Sequence, residues 1–248
     1  MPKLPKILER EPLVDAVFEV RLSGTLQLPE ILPGFLLYEL GRTTKLTRLP
    51  AADIPRPLRV DNPDLQFAPI QRLEWDNYFI AFGDSNVVIS CKLPYPKWPE
   101  FKAAILDITS KIAKVELGGR VDRYSVKYVN LIEARTFADQ VQKIHMDIKL
   151  GDVQVKDDHM SLQVHCREGG IIHILSVVTG AQAQMPDGNL VFGILVDVDS
   201  IRVVSVPDFG AFAANLEPGL EELRQANKAK FFGCLTDATI QEMGPIYE

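Results

Sequence analysis

Apolar and polar side chains alternate along two stretches in the first part of the chain. Residues 14–22 (VDAVFEVRL) follow a period of two, which predicts a β-strand. Residues 120–132 (RVDRYSVKYVNLI) predict a longer strand, in which Arg123 and Lys127 share one face and Tyr128 lies on the other. Two polar side chains on one strand face indicate that this face is not part of the apolar core.

A hairpin and two helices are predicted between and beside these strands. Residues 78–82 and 87–91 are rich in aromatic and β-branched side chains and flank the turn sequence GDSN, which predicts a hairpin. Residues 29–40 have helical spacing that Pro33 interrupts. A second helix begins near Pro99, because apolar residues recur there at intervals of four, three and four: Phe101, Ile105, Ile108 and Ile112.

The second part of the chain repeats this order of strands followed by helices. Strands are predicted over residues 144–155, 160–167, 171–178 and 190–206, joined by short turns, and a closing helix over residues 218–232. Thr236 caps a last short helix. The pattern predicts an α+β fold of two successive antiparallel-sheet-plus-helix halves, residues 1–135 and 136–248, with a pseudo-duplicated architecture.

Composition and charge narrow the class of protein. Of the 248 residues, 46% are hydrophobic and 24% charged, which is typical of globular proteins. No stretch is apolar enough for a membrane helix or a secretory signal, so we expect a cytoplasmic protein. The three cysteines form no CxxC pair, which indicates neither a disulfide framework nor a cysteine-rich zinc site. The net charge of −6 disfavours nucleic acid as the main partner.

Basic residues are concentrated in residues 42–66, a proline-rich segment that we interpret as an irregular surface segment. Five of them define the predicted basic patch: Arg42, Lys45, Arg48, Arg56 and Arg59. Such a patch would bind phosphate or an acidic partner. A solvated loop without binding function is the alternative interpretation, and the scarcity of aromatic residues there disfavours stacking with single strands.

Five short segments recur in an order that points to a family: PLVDAVFEVRL, YPKW, RYSVKYVN, LVDVD and ANKAKFFGCLTDATIQEM. In this order and spacing they resemble an uncharacterised, sporadically distributed prokaryotic protein family of similar length. The resemblance implies a fold and a patchy occurrence, as for proteins of mobile or defence loci. It implies no activity and no cofactor.

The same resemblance singles out seven residues as a binding network or a network between the halves. They are Arg123, Lys127, Tyr128, Asn130, Asp197, Asp199 and Asn227. Lys127 stands where the family usually has an arginine, so we expect a simple positive charge there and not a bidentate contact. Asn227 lies on the apolar stripe of the closing helix, where a buried amide needs a backbone or carboxylate partner. An exposed amide at the edge of the stripe is the alternative.

Two pairs of residues have the spacing of catalytic groups. Asp197 and Asp199 are two apart on a strand and project from one face, as the ligands of a Mg²⁺ or Mn²⁺ nuclease do. No D/E-x-K follows them, so carboxylates paired with the basic strand face are the competing interpretation. A turn at residues 169–170 places Cys166 across from His173, a possible nucleophile and base or simply a packed sheet face.

No catalytic or metal-binding set emerges from the remaining residues. In the same register His165 and His173 point to opposite faces, which disfavours a zinc site with His159. The common nucleotide and hydrolase motifs are absent from the sequence. We therefore expect no metal and no cofactor, and a protein that is uncertain as an enzyme.

Three functional hypotheses follow. The leading one is a non-enzymatic protein-binding, accessory or regulatory protein, a component of a prokaryotic antiviral defence or toxin–antitoxin locus whose partner is another protein of that locus. The first alternative is a metal-dependent nuclease or phosphoesterase that uses Asp197 and Asp199. The second alternative is a small-ligand sensor with a pocket between the sheet and the long helix.

Overall fold

The fold class is the predicted one. A computed structural model describes residues 4–24, 28–41, 45–151, 153–154 and 159–247. It is a mixed α+β protein with 32% of its residues in helices and 40% in strands, and the predicted pseudo-duplication is not confirmed.

The strands include all but one of the predicted segments at close to the predicted positions. In chain order they are β1 Ile7–Leu8, β2 Leu13–Gly24, β3 Lys45–Arg48, β4 Gln71–Trp75, β5 Tyr78–Phe82, β6 Asn86–Cys91, β7 Gly119–Glu133, β8 Lys149–Leu150, β9 Val153–Gln154, β10 Ser161–Glu168, β11 Ile171–Gln184, β12 Leu190–Val206 and β13 Pro245–Ile246. The exception is the strand predicted over residues 144–155, of which 152 and 155 lie outside the described residues. A positive φ at Gly151 turns the chain there, and β8 and β9 form a small hairpin instead.

The four predicted helices are present, together with further short helices that were not predicted. In chain order they are α1 Leu28–Leu40, a 3₁₀ turn Pro50–Asp53, α2 Arg56–Val60, α3 Trp98–Ile112, α4 Phe137–Gln142, α5 Phe209–Ala214, α6 Leu216–Cys234 and α7 Asp237–Glu242. The predicted apolar stripe of α3 is fully buried, from Phe101 to Ile112. Thr236 caps α7, since its hydroxyl accepts from the Thr239 backbone N–H. Pro33 lies inside α1 without ending it.

Contacts divide the chain into two compact units that are interleaved along the sequence. The first unit comprises Met1–Ala16, Lys127–Ser200 and Leu223–Glu248. The second unit comprises Val17–Val126 and Ile201–Glu222. These segments do not coincide with the halves 1–135 and 136–248, whose independence as domains stays a prediction.

The first unit contains β10, β11 and parts of β12, β7 and β2, which are neighbours in that order. The Gly169-Gly170 turn, where both φ angles are positive, pairs Glu168 with Ile171 and Cys166 with His173, as predicted. One side of β12 presents Ile194, Val196 and Val198 to the last turns of α6, and these side chains form a buried cluster with Phe231, Phe232 and Leu235. Each such side chain contributes roughly 1.5–3 kcal/mol when it is fully buried.

The second unit contains an antiparallel meander in the order β2, β6, β5, β4 and β3. The predicted hairpin is confirmed, with Phe82 paired to Val87 across its turn. β4, which pairs with β5 from Gln71 to Trp75, was not predicted. Its sequence QRLEW has too few apolar residues for a clear period of two.

The segment 42–66 differs from its interpretation as an irregular surface segment. Lys45 and Arg48 lie on β3, and Arg56 and Arg59 lie on α2, whereas Arg42 lies outside the described residues. Arg59 is only 5% exposed, so it does not belong to an open basic patch. The correction has a physical reason, because a guanidinium can be buried when a carboxylate is buried with it.

That carboxylate belongs to Asp84, which lies in the turn between β5 and β6. Arg59 donates from Nε to Asp84 Oδ2 at 2.8 Å and from Nη2 to Oδ1 at 2.9 Å. Nη1 donates to the backbone oxygen of Ile54. The fork therefore ties α2 to the hairpin turn with two parallel, charge-assisted hydrogen bonds.

Loss of the buried ion pair between Arg59 and Asp84 is expected to destabilise the fold. Arg59→Leu should lower the free energy of unfolding by about 3–5 kcal/mol, because Asp84 stays buried with only the more exposed Arg56 beside it. Arg48→Leu breaks an exposed pair with Asp53 and should cost at most about 1 kcal/mol. Urea unfolding of both variants measures the difference, and equal losses would contradict a structural role specific to Arg59.

Candidate functional site

One residue of the predicted basic strand face contacts the predicted acidic pair in the first unit. Lys127 on β7 forms an ion pair with Asp197 on β12, with Nζ 2.7 Å from Oδ2. Asp197 and Asp199 leave the same face of β12, as predicted from their spacing. The ion pair between Lys127 and Asp197 joins two neighbouring strands. This is the contact expected if the carboxylates pair with the basic strand face and do not bind a metal ion.

Further carboxylates surround Lys127. Burial works against the charged form of this amine, but the hydrogen bond and charge of Asp197, with the charges of Asp199 and Asp15, outweigh it and raise the pKa of Lys127. Burial raises the pKa of Asp15 on β2. Asp15 was missed, although its place in the alternating strand VDAVFEVRL puts it on the polar face. Among the described residues, no group of three or more His, Cys, Asp or Glu side chains is arranged to hold a metal ion.

Three of the residues singled out by the resemblance lie elsewhere. In the second unit, Arg123 pairs with Glu19, with Nη2 3.3 Å from Oε2. In the first unit, Tyr128 is buried and its ring lies 4.3 Å from the guanidinium carbon of Arg224 on α6. Asn130 makes a long contact of 3.5 Å with the backbone oxygen of Val196. That the seven residues act as one network stays a prediction.

Asn227 leads to a different site. Its side chain is 1% exposed, and Nδ2 donates to the backbone oxygen of Val198 at 2.7 Å and to Ser200 Oγ at 3.0 Å. Ser200 Oγ lies in turn 2.9 Å from His173 Nδ1 on β11. Asn227, Ser200 and His173 form a buried hydrogen-bonded chain that we call the His173 network. It was predicted only in part, as a backbone partner for Asn227.

The contacts of the His173 network assign the ring proton to one of the two nitrogens of His173. Ser200 Oγ accepts from Asn227, and the acceptor left for its own proton is His173 Nδ1. Burial first, and the positive charge of Lys230 second, lower the pKa of His173 below 6.5. At neutral pH the imidazole is therefore neutral, with its proton on Nε2.

His173 lines a groove along the outward side of α6. The groove has a volume of about 840 Å³ and runs past the small residues Ala226, Ala229 and Gly233 of that helix. Glu168 and Lys230, which form an ion pair, also line it, and Leu4 and Tyr247 contribute to its walls. We call it the α6 groove. Its volume lies in the range of about 300–1,000 Å³ that is typical of small-molecule sites.

The other sequence candidates do not add a catalytic group to this groove. Cys166 lies across from His173, as predicted, but His173 Nδ1 is bonded to Ser200 and not to Cys166. His165 Nε2 contacts Gln163, and the ring of His159 stacks on Phe137. His159, His165 and His173 therefore have three different partners. The Ser200 hydroxyl is fully buried.

Sequence reasoning missed Ser200, Lys230 and Glu168 as parts of this site. Ser200 follows the LVDVD segment directly, and the buried stripe of β12 that includes it continues the period of two from Val196 and Val198. That period was the available signal for Ser200. Lys230 and Glu168 are 62 positions apart and gave no local signal of their pairing.

Comparisons with known proteins do not decide between the hypotheses. Protein-family models and curated proteins show no match to this chain. In the part of the chain that the structure describes, no helix is long and apolar enough to cross a membrane. The family resemblance stays a prediction, and functional inference has to start from the geometry of the groove.

The low pKa of His173 predicts a specific pH dependence of stability. Because the unfolded chain binds a proton on this residue near pH 6.5 and the folded protein only at lower pH, the stabilisation is complete above pH 6.5. It is lost as the pH falls from there toward the folded-state pKa. Urea unfolding at pH 7.5 and 5.5 should show a smaller loss of stability in His173→Gln than in the wild type.

His165 provides the matched control for this experiment. It is an exposed histidine on the neighbouring strand and contacts only another exposed side chain. His165→Gln should therefore keep the pH dependence of the wild type. An equal loss in His173→Gln and the wild type would contradict a neutral, buried His173.

Proposed function

We propose that this protein binds a small molecule in the α6 groove and acts as a regulatory, ligand-sensing protein. The observation that carries the proposal is the buried His173 at the wall of an open groove of about 840 Å³. A buried polar group that faces a cavity of this size is a typical feature of ligand sites, where a few polar atoms orient a mainly apolar ligand.

The His173 network supports binding because it holds the ring in place before any ligand arrives. Ser200 fixes the imidazole through Nδ1, and Asn227 fixes Ser200 and the Val198 backbone at the same time. A donor that is already oriented loses little conformational entropy on binding. The small side chains of Ala226, Ala229 and Gly233 leave space for a ligand beside the helix.

The same geometry favours binding over covalent catalysis. Ser200 is fully buried and cannot reach a substrate in the groove. Nδ1 of His173 is bonded to Ser200, so it does not activate the Cys166 thiol. For the nuclease hypothesis, Lys127 binds Asp197, and among the described residues no group of three or more His, Cys, Asp or Glu side chains is arranged to hold a metal ion.

A thermal-shift screen with a metabolite panel tests the proposal. A ligand at ~100 times its dissociation constant adds ~2.7 kcal/mol, which for a chain of this size raises the melting temperature by roughly 5–10 °C. Ala229→Phe fills the groove and should abolish the shift. Ala214→Phe, an exposed alanine of α5 outside the groove, should keep it. A panel with no compound whose effect depends on Ala229 would contradict the proposal.

A second candidate function is protein binding, the leading hypothesis from the sequence. The observation that favours it lies in the second unit, where α1 is apolar on both sides. Leu28, Leu32 and Leu36 are fully buried, while Tyr38 is 84% exposed and Leu37 lies beside it at the surface. Helices with two apolar sides are usually covered on both, which suits a partner protein with an apolar surface.

Affinity purification from the native host tests this second function. A stoichiometric partner should be recovered with the wild type and with Val203→Glu, which places a charge at an exposed position of β12. Tyr38→Glu should lose the partner, because a charge in an apolar interface is costly to desolvate. Recovery of no stoichiometric partner, or of one that Tyr38→Glu retains, would count against α1 as the binding surface.

A further inference from the structure

Three of the polar groups that line the α6 groove belong to one wall. His173 lies on β11, Glu168 ends β10, and Lys230 projects from α6 toward Glu168. Glu168 and Lys230 form an ion pair, and both line the groove together with His173. This wall, formed by His173, Lys230 and Glu168, is called the polar wall below.

Two members of the polar wall are hydrogen-bond donors. We assign the proton of the neutral imidazole to the remaining ring nitrogen of His173, Nε2, because the Ser200 hydroxyl accepts from Asn227 and has His173 Nδ1 as the acceptor for its own proton. No hydrogen bond links Nε2 to any other described residue. Lys230 Nζ carries three donors and a positive charge. A ligand group that accepts hydrogen bonds and carries negative charge fits this pair of donors best.

Glu168 is the group that a bound anion would replace. The Glu168 side chain is 64% exposed and that of Lys230 is 33% exposed, so their ion pair is largely solvated. Solvated pairs of this kind contribute little stability, and Glu168 can turn away from Lys230 at small cost. Ligand exchange at Lys230 is therefore possible without disruption of the fold.

The rest of the groove is mainly apolar. Leu4 and Ile240 pack against the buried cluster that contains Phe232 and Leu235, and all four line the groove. From Gln225 to Gly233 the groove follows α6 for about 12 Å at 1.5 Å per residue. Asp237, exposed at the start of α7, is a further acid on the lining and disfavours an anion near it. The anionic group of a ligand therefore belongs at the polar wall.

From this arrangement we infer that the α6 groove takes an amphipathic organic anion, a carboxylate or sulfonate joined to an aliphatic or aromatic body. Its acid group accepts from His173 Nε2 and Lys230 Nζ in place of Glu168. Its apolar body lies along Ala226, Ala229 and Gly233 toward Phe232 and Ile240. The inference rests on the proposed function and adds the chemical class of the ligand.

Two dyes with the same aromatic body show how much the acid group contributes to the affinity of a ligand. Anilinonaphthalene sulfonate is the anion, and N-phenylnaphthylamine is the neutral counterpart without the sulfonate. Fluorescence titration of the full chain measures both affinities, and the signal that Ala229→Phe removes is the signal from the groove. Both dyes should give such a signal, and the sulfonate should bind more tightly.

Variants of the polar wall then test the contact itself. Lys230→Met should weaken the sulfonate about tenfold, as expected for loss of a charge-assisted hydrogen bond, and leave the neutral dye unchanged. Lys228→Met is the matched control on the same helix, because Lys228 does not line the groove. Glu168→Gln removes the competing carboxylate and should tighten the sulfonate alone. An unchanged affinity for the neutral dye shows that Glu168→Gln has not exposed new apolar surface, which would bind both dyes.

Each contrary outcome has a distinct meaning. Equal effects of Lys230→Met on the two dyes, or no effect on the sulfonate, would overturn the anionic class of the ligand and leave the groove as a binding site. The absence of any signal that depends on Ala229 would overturn the inference for aromatic amphiphiles altogether. The thermal-shift screen decides the proposed function separately, since its panel includes neutral and cationic compounds.

Discussion

Burial of the Asn227 amide is the constraint on which the geometry of the first unit depends. A primary amide on an apolar helix stripe is destabilising unless its donors find acceptors, and the acceptors here are the Val198 carbonyl and the Ser200 hydroxyl. Both belong to β12, so the amide sets the position of α6 along that strand. The apolar cluster of Val198 and Phe231 contributes the larger share of free energy, but it does not by itself define this register.

The buried Asn227 amide also affects the α6 groove, through one further hydrogen bond between Ser200 and His173. Ser200 accepts from Asn227 and has His173 Nδ1 as the acceptor for its own proton, which assigns the tautomer of a ring that lines the α6 groove. A polar residue that serves packing thus also orients the side chain that serves binding. Burial keeps the ring neutral at physiological pH, which makes it a hydrogen-bond donor at Nε2 and not a second positive charge beside Lys230.

Two ion pairs of the protein have different roles. Arg59 and Asp84 are buried and joined by two hydrogen bonds, so the pair holds α2 in one place. The pair of Lys230 and Glu168 is largely exposed and can exchange partners. Only the second kind is suited to a binding site, because a ligand can replace one member without leaving a buried charge unpaired.

Local patterns in the sequence determined most of the secondary structure. The period of two in residues 190–206 corresponds to β12, the glycine pair 169–170 set the register of β10 and β11, and the spacing from Phe101 to Ile112 gave the buried stripe of α3. These features depend on neighbours a few residues apart, which is the range that periodicity and turn chemistry report. Tertiary structure alone decided that Arg59 is buried, since its partner Asp84 lies 25 positions away in a hairpin turn. The tertiary structure also determined the lining of the groove, because Leu4, Glu168 and Lys230 come together only when distant segments of the chain pack. Long-range contacts of this kind produce no periodic pattern in the sequence. The candidate site is formed by such contacts, so local patterns did not predict it.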